Sequence, residues 1–314
     1  MFACLLPRQW RARWMAAVVL AGVFALLPSL NAHAQSSGDG AALSGTLKTL
    51  RQRGSIIIGY REASVPFSYL STLKEPIGYS IDLCKGLAAD LGEAVHRELK
   101  IEWVPVTSAT RVEAVESGRV DIECGSTTNN AERRKQVAFS PTIFVAGTKL
   151  MVKSGSPIKG FRDLAGKRVA VTAGTTNEKT MHDLSEKFKL NLQLVVSSDH
   201  AQSLARLSNG EADAFATDDV LLYGFIAQKE LKGKFVVVGD YLSYDPYGVL
   251  YRRNDPAMAK VVNDSFQRMA QEGEIERQYR RWFLRKLPLG VSIDLPMSAQ
   301  LESIIEAMAS RASE

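Results

Sequence analysis

Short apolar runs alternate with amphipathic stretches along most of this chain, and that alternation predicts a sheet covered by helices. Leu43 to Arg53 gathers its apolar residues on one face and stops at Gly54, after which Ser55 to Gly59 predicts a first buried strand. Gly78 to Leu91 spaces Ile81, Leu83, Leu87 and Leu91 as a helix does, and Lys100 to Val106 predicts a second strand. Arg111 to Glu116 reads as a short helix closed by Ser117-Gly118, followed by a third strand over Val120 to Cys124. Strands separated by helices of this length imply right-handed βαβ units and a parallel sheet.

The alternation then resumes. Strands are expected at Lys149 to Val152, Lys167 to Thr172, Leu192 to Val196, Ala212 to Ala216 and Phe235 to Val238. Between them fall a helical turn at Gly160 to Leu164 and helices ending near Phe188, Leu207 and Ala227. Tyr247 to Tyr251 predicts a further strand, and Pro256 to Glu272 and Glu274 to Phe283 two closing helices. One α/β lobe is thus interrupted by another, the chain leaving near Ile143 to Gly147 and returning near Tyr247 to Tyr251. We expect residues 35–145 and 248–314 in lobe 1 and residues 146–247 in lobe 2. Each lobe is expected to be an open, mostly parallel sheet flanked by helices, with two hinge crossings and a cleft suited to a small ligand.

The first residues change the picture of charge and compartment. Arg8, Arg11 and Arg13 precede an apolar run from Met15 to Leu30, and Ala32-His33-Ala34 forms a small-x-small cleavage site. This reads as an export signal over residues 1–34, cut near Ala34/Gln35, because the run is shorter than the roughly 20 residues a spanning helix needs. Cys4 lies far upstream of the cut, so no cysteine is placed there to carry a lipid. Three arginines and no acidic residue leave with the signal, so a formal charge of +5 becomes +2. A near-neutral surface without a dense basic stripe argues against nucleic acid as a partner. Cys84 and Cys124 remain; in an oxidising compartment they can pair, but two cysteines fix no framework. His96, His182 and His200 are too scattered for a zinc site, and no metal or cofactor is expected.

Four strand ends carry anion-binding chemistry. Arg61 follows the first strand within Gly59-Tyr60-Arg61-Glu62-Ala63-Ser64-Val65-Pro66-Phe67. Ser108 and Arg111 lie in Thr107-Ser108-Ala109-Thr110-Arg111, where a hydroxyl cap precedes an expected helix. Ser126, Thr128 and Arg133 lie in the run Glu123-Cys124-Gly125-Ser126-Thr127-Thr128-Asn129-Asn130-Ala131-Glu132-Arg133, hydroxyls and a guanidinium at an expected helix start. Thr172 and Thr175 bracket Ala173-Gly174 at a helix N-terminus in the other lobe. Each alone is also an ordinary capped helix beside a solvated arginine. Three arginines at the ligand edge of one sheet go further, because one carboxylate occupies one guanidinium in a bidentate pair. A dicarboxylate fits three. Asp218 sits after a strand and suits an ammonium group, unless it or Asp219 is only a helix cap. His200 can donate to a carboxylate, its charged form favoured beside such an anion, or can be structural.

These segments resemble the periplasmic amino-acid solute-binding proteins of ATP-binding-cassette importers (bacterial family 3), and among them the glutamate/aspartate-binding proteins. The likeness runs over nearly the whole chain after residue 34. It is carried also by Gly78-Tyr79-Ser80, Phe139-Ser140-Pro141-Thr142-Ile143-Phe144, Asp199-His200, Tyr247-Gly248 and Arg281-Trp282-Phe283. The resemblance implies the two-lobed type II periplasmic-binding-protein fold. It further implies that Arg133, Ser126 and Thr128 hold an α-carboxylate and that Asp218 receives the α-ammonium. Arg61, Arg111 and His200 are implied to bind a side-chain carboxylate, with Ser108, Thr172 and Thr175 as lesser contacts. It implies a periplasmic monomer that binds glutamate or aspartate, handed to an inner-membrane permease of the ABC type. Relatives can carry cysteine where this chain has Val249, so the resemblance supplies no partner for Cys84.

Two other readings share the fold. A cyclohexadienyl or arogenate dehydratase-like enzyme needs a general acid near the ligand, for which Glu62 or Glu178 is available. A chemosensory component would pass its ligand state to a receptor. The two arginines beyond Arg133 favour binding without catalysis.

Overall fold

The computed structural model describes residues 43–288 and 290–310. The expected signal peptide and its cleavage site lie outside the described residues. No helix among those described is long and apolar enough to cross a membrane.

The helix Gly45–Arg53 ends where Gly54 turns left-handed, at φ 75°, and donates its N–H to the Leu50 carbonyl. A side chain there would collide with Arg97. The chain then enters Ser55–Tyr60, an almost continuously buried strand, as a parallel strand with both faces covered must be. It pairs in parallel with Lys100–Pro105 on one side and Ile122–Cys124 on the other. Leu250–Arg252 runs antiparallel beside Ile122–Cys124, and Val137–Phe139 antiparallel beside that, completing five strands. Four of the five point the same way.

A second five-stranded sheet repeats the plan. Its order is Gln193–Ser197, Arg168–Thr172, Ala214–Asp218, Thr148–Lys153 and Phe235–Val238, with Thr148–Lys153 the one antiparallel member. The helices Thr176–Phe188, His200–Ser208 and Asp219–Gln228 connect its strands. Both sheets are therefore mostly parallel and carry their strand carboxyl ends toward one edge, where Arg61, Thr172 and Asp218 stand.

Two strands join the sheets. Phe144–Ala146 on the outward crossing pairs antiparallel with Asp245–Tyr247 on the return, Phe144 opposite Tyr247. An aromatic cluster braces this ribbon: Phe67 lies 4.9 Å from Phe144, 5.1 Å from Tyr247 and 5.6 Å from Phe283, between ring centroids. The Tyr79 hydroxyl donates to the Ile143 carbonyl at 2.9 Å. Such edge-to-face contacts add to the area they bury.

The structure departs from the sequence reading in four places. The expected strand Tyr247 to Tyr251 is two short strands, broken at Gly248-Val249 where the chain passes from ribbon to sheet. The expected helix carrying Arg133 is a single 3₁₀ turn, Arg133–Lys135, because Val137 already begins the edge strand. The last of the two closing helices widens from Glu274–Tyr279 into a π-helical turn, Arg280–Leu284. A further helix, Ala299–Ser310, buries Leu301, Ile305 and Met308, and Gln271 donates to the Ala309 carbonyl at 3.1 Å.

Cys84 and Cys124 form a disulfide, with Cα atoms 6.4 Å apart, tying the helix Tyr79–Ala94 to the strand Ile122–Cys124. It closes 40 residues of sequence, for which chain-entropy bookkeeping gives about 3–4 kcal/mol of stability. Replacing both cysteines by alanine is expected to lower the urea midpoint accordingly, and dithiothreitol to produce the same fall in the parent protein. An unchanged midpoint would show that the crosslink constrains nothing.

Candidate functional site

Three buried guanidinium groups come together between the sheets. Arg61 leaves the end of its strand with its N–H bonded to Ser68 Oγ at 2.9 Å, and is only 2% exposed. Its Nη1 has no hydrogen-bond partner among the described residues. Arg111 opens the helix Arg111–Glu116, held by a turn in which Thr107 and Thr110 exchange backbone-to-hydroxyl bonds at 3.0 and 3.2 Å. Its Nη1 donates to the Ser126 carbonyl at 3.1 Å, while Nε has no partner. Arg133 donates from Nη1 to the Thr128 carbonyl at 2.8 Å and from Nη2 to the Gly174 carbonyl of the other sheet at 3.1 Å.

Burial disfavours each of these charges, and the charges disfavour one another. The Arg61 guanidinium is pushed down to about 9 by burial and then by Arg111, and Arg133 to about 9 by the same two causes. Arg111 is lowered by burial. Glu123 opposes all three shifts. Ser108 Oγ and Ser126 Oγ are buried beside them without partners. Buried donors rarely stay unpaired unless something supplies the missing acceptor. Unpaired N–H and O–H groups around concentrated positive charge make a receptor for carboxylate oxygens.

The other sheet supplies the opposite chemistry. Asp218 ends its strand fully buried, Oδ1 accepting from Asn177 Nδ2 at 2.8 Å and Oδ2 from the Tyr247 hydroxyl. Burial first, and then Asp245, raise its carboxyl above the ordinary aspartate range. A nearby cation would relieve that. Asp218 is the cap residue of Asp219–Gln228 but makes no side-chain cap bond, whereas Asp219 accepts from Tyr241 at 2.8 Å. The cap reading therefore does not account for Asp218.

Thr172 and Thr175 sit at the same edge with their hydroxyls engaged. Thr172 Oγ1 lies 2.9 Å from His200 Nδ1 and 2.8 Å from Ser203 Oγ. Thr175 donates to the Thr172 carbonyl at 2.7 Å and accepts from Glu178 N at 3.1 Å, an N-cap bond. Burial, Arg61 and Arg111 hold His200 well below the usual histidine range, which favours the neutral imidazole. Thr128 Oγ1 meets Thr176 Oγ1 across the sheets at 3.3 Å.

Three participants escaped the sequence reading. Glu123 passed as part of a strand, Asn177 as a helical residue, and Tyr247 as a strand residue of the hinge. Asn177 binds Asp218, Thr148 and Thr217 at 2.8, 2.7 and 3.3 Å, and no local pattern announces such a network. A glutamate between Ile122 and Cys124, whose neighbours are buried strand residues, was a legible signal for Glu123.

The family described as bacterial extracellular solute-binding proteins, family 3, matches residues 56–285. The chain belongs to that family. This family 3 member is 42% identical over 275 residues to the L-glutamate/L-aspartate-binding protein of Pseudomonas aeruginosa, covering 87% of this chain and 91% of that one. It is 37% identical over 285 residues to the glutamate/aspartate import solute-binding protein of Salmonella typhimurium, covering 90% and 94%. Among solved structures, an ancestral amino-acid-binding protein, AncCDT-1, described as a precursor of cyclohexadienyl dehydratase, superposes with a TM-score of 0.66 at 30% identity, covering 76% of this chain and 99% of that one. The two sheets and two crossings are the type II fold of family 3.

The raised Asp218 carboxyl gives a signed expectation. The folded, ligand-free protein holds that proton more tightly than the unfolded chain, so stability falls as pH rises from about 3.8 through the raised value. Urea unfolding across that range should show the decline in the parent and a flatter profile in Asp218→Asn. Equal slopes would mean that Asp218 titrates normally.

Proposed function

We propose that this protein binds glutamate or aspartate between its lobes and delivers it to an ABC-type permease of the inner membrane. In this reading Arg133, Ser126 and Thr128 hold the α-carboxylate, and Asp218 takes the ammonium. Arg61, Arg111 and neutral His200 receive the side-chain carboxylate, with Ser108, Thr172 and Thr175 around them. Residues 35–145 and 248–314 form lobe 1, residues 146–247 form lobe 2, and the exported monomer works in the periplasm. The observation that carries the proposal is the second and third guanidinium. A neutral side chain would leave Arg61 Nη1 and Arg111 Nε buried without a charged partner, at a cost of several kcal/mol. The names of the relatives from Pseudomonas aeruginosa and Salmonella typhimurium point the same way.

The dehydratase-like alternative has less to stand on. Glu62 is exposed, and Glu178 is engaged with Gly174 N at 2.8 Å. Neither is poised as a buried acid. Incubation with prephenate or arogenate is expected to yield no product by chromatography; turnover would favour catalysis.

Calorimetry is expected to give tight binding of glutamate or aspartate and binding at least about 100-fold weaker for glutamine, since a site built for charged hydrogen bonds rejects a partner that lacks them. Arg133→Ala should weaken all amino acids, while Arg61→Ala should erase the preference for acidic ones. Equal affinity for glutamate and glutamine in the parent protein would sink the reading.

A further inference from the structure

Glu123 lies in the middle of the strand Ile122–Cys124, between Gly59 and Leu250 of the neighbouring strands, and is fully buried. Its Oε2 accepts from Thr127 Oγ1 at 2.7 Å, and its Oε1 has no hydrogen-bond partner. Oε1 stands over Gly125: a Cβ there would lie 2.3 Å from it and 2.8 Å from Arg61 Cγ. The bare glycine thus lets the carboxylate pack close to the arginine stem. No direct ion pair forms between Glu123 and Arg61 or Arg111 among the described residues, so it acts on them through space. That action is felt, since its charge favours the charged form of Arg61 and Arg111, and of Arg133 beyond them, while Arg111 disfavours that of Arg61.

We propose that Glu123 is a specificity-determining residue: it cancels one of the two guanidinium charges at the side-chain end of the site, so that a single ligand carboxylate neutralises what remains. The inference rests on the acidic amino-acid reading above. Arg61 and Arg111 contribute two positive charges, and Glu123 leaves a net of one. His200 contributes none. Asp199, which also faces Arg61, is half-buried and capping Gln202 N at 2.9 Å, where water screens it. Without Glu123 two charges would face one carboxylate in a dry site, and a ligand bearing a dianionic side chain would gain. Three arginines alone do not define the ligand. Their buried counter-charge does.

The test is charge arithmetic in full-length variants, read by calorimetry with glutamate, glutamine and O-phosphoserine. Glu123→Gln should raise affinity for O-phosphoserine relative to glutamate by about tenfold or more. Arg61→Gln alone should lose the preference for glutamate over glutamine. Adding Glu123→Gln to it restores the net single charge and should return at least about tenfold of that preference. The balanced double variant also decides the matter if Glu123→Gln alone does not fold. A purely structural Glu123 would weaken all three ligands in parallel and rescue nothing, and either result overturns the proposal. If the parent protein itself binds neither glutamate nor aspartate, the acidic amino-acid reading fails first and this inference falls with it. If the parent prefers glutamate but the variants do not follow the arithmetic, this inference alone fails.

Discussion

Three like charges held out of water in one small volume are the constraint that the rest of this structure serves. Burying a guanidinium costs several kcal/mol unless oxygen atoms surround it, and neighbouring guanidiniums add to that cost. The fold meets it with backbone. Carbonyls of Ser126, Thr128 and Gly174 accept from Arg111 and Arg133, and a strand end, a helix start and a 3₁₀ turn carry the three stems. Carbonyls carry partial charge only, so the site keeps an appetite for anions. Among the described residues, backbone leaves Arg61 Nη1 and Arg111 Nε without an acceptor.

The hinge takes part in the same electrostatics. Tyr247 belongs to the returning crossing, packs against Phe67 and Phe144, and places its hydroxyl on Asp218 of the other sheet. Thr127 and Asn129, in the loop bearing Ser126 and Thr128, bond to the same crossing through Gly248 N and the Pro246 carbonyl. Asp218 and the loop bearing Ser126 and Thr128 are thus joined through one short strand. A displacement of that strand would therefore disturb both.

Much of this was legible in the chain, for identifiable reasons. Alternating apolar runs and amphipathic stretches located the sheets because parallel strands covered on both faces must be continuously apolar, as Ser55–Tyr60 is. Strand ends located the arginines because open α/β sheets present ligands there. What failed was local detail governed by distant contacts. Arg133 sits in a 3₁₀ turn because an edge strand begins at Val137, and that strand's partner lies more than a hundred residues downstream. The lowered His200 imidazole follows from its burial first and then from Arg61 and Arg111, which are distant in sequence. The disulfide joins a helix to a strand that no spacing rule brings together. Ala299–Ser310 was within reach, since Leu301, Ile304, Ile305 and Met308 recur at helical spacing.

Gly174 has a meaning beyond its left-handed turn at φ 73°. A side chain there would place its Cβ 2.6 Å from the Ala109 Cα. Gly224 stands likewise against the Val65 carbonyl, at 2.3 Å. Only a residue without a Cβ permits both approaches, so an alanine at either position would have to push the two backbone segments apart.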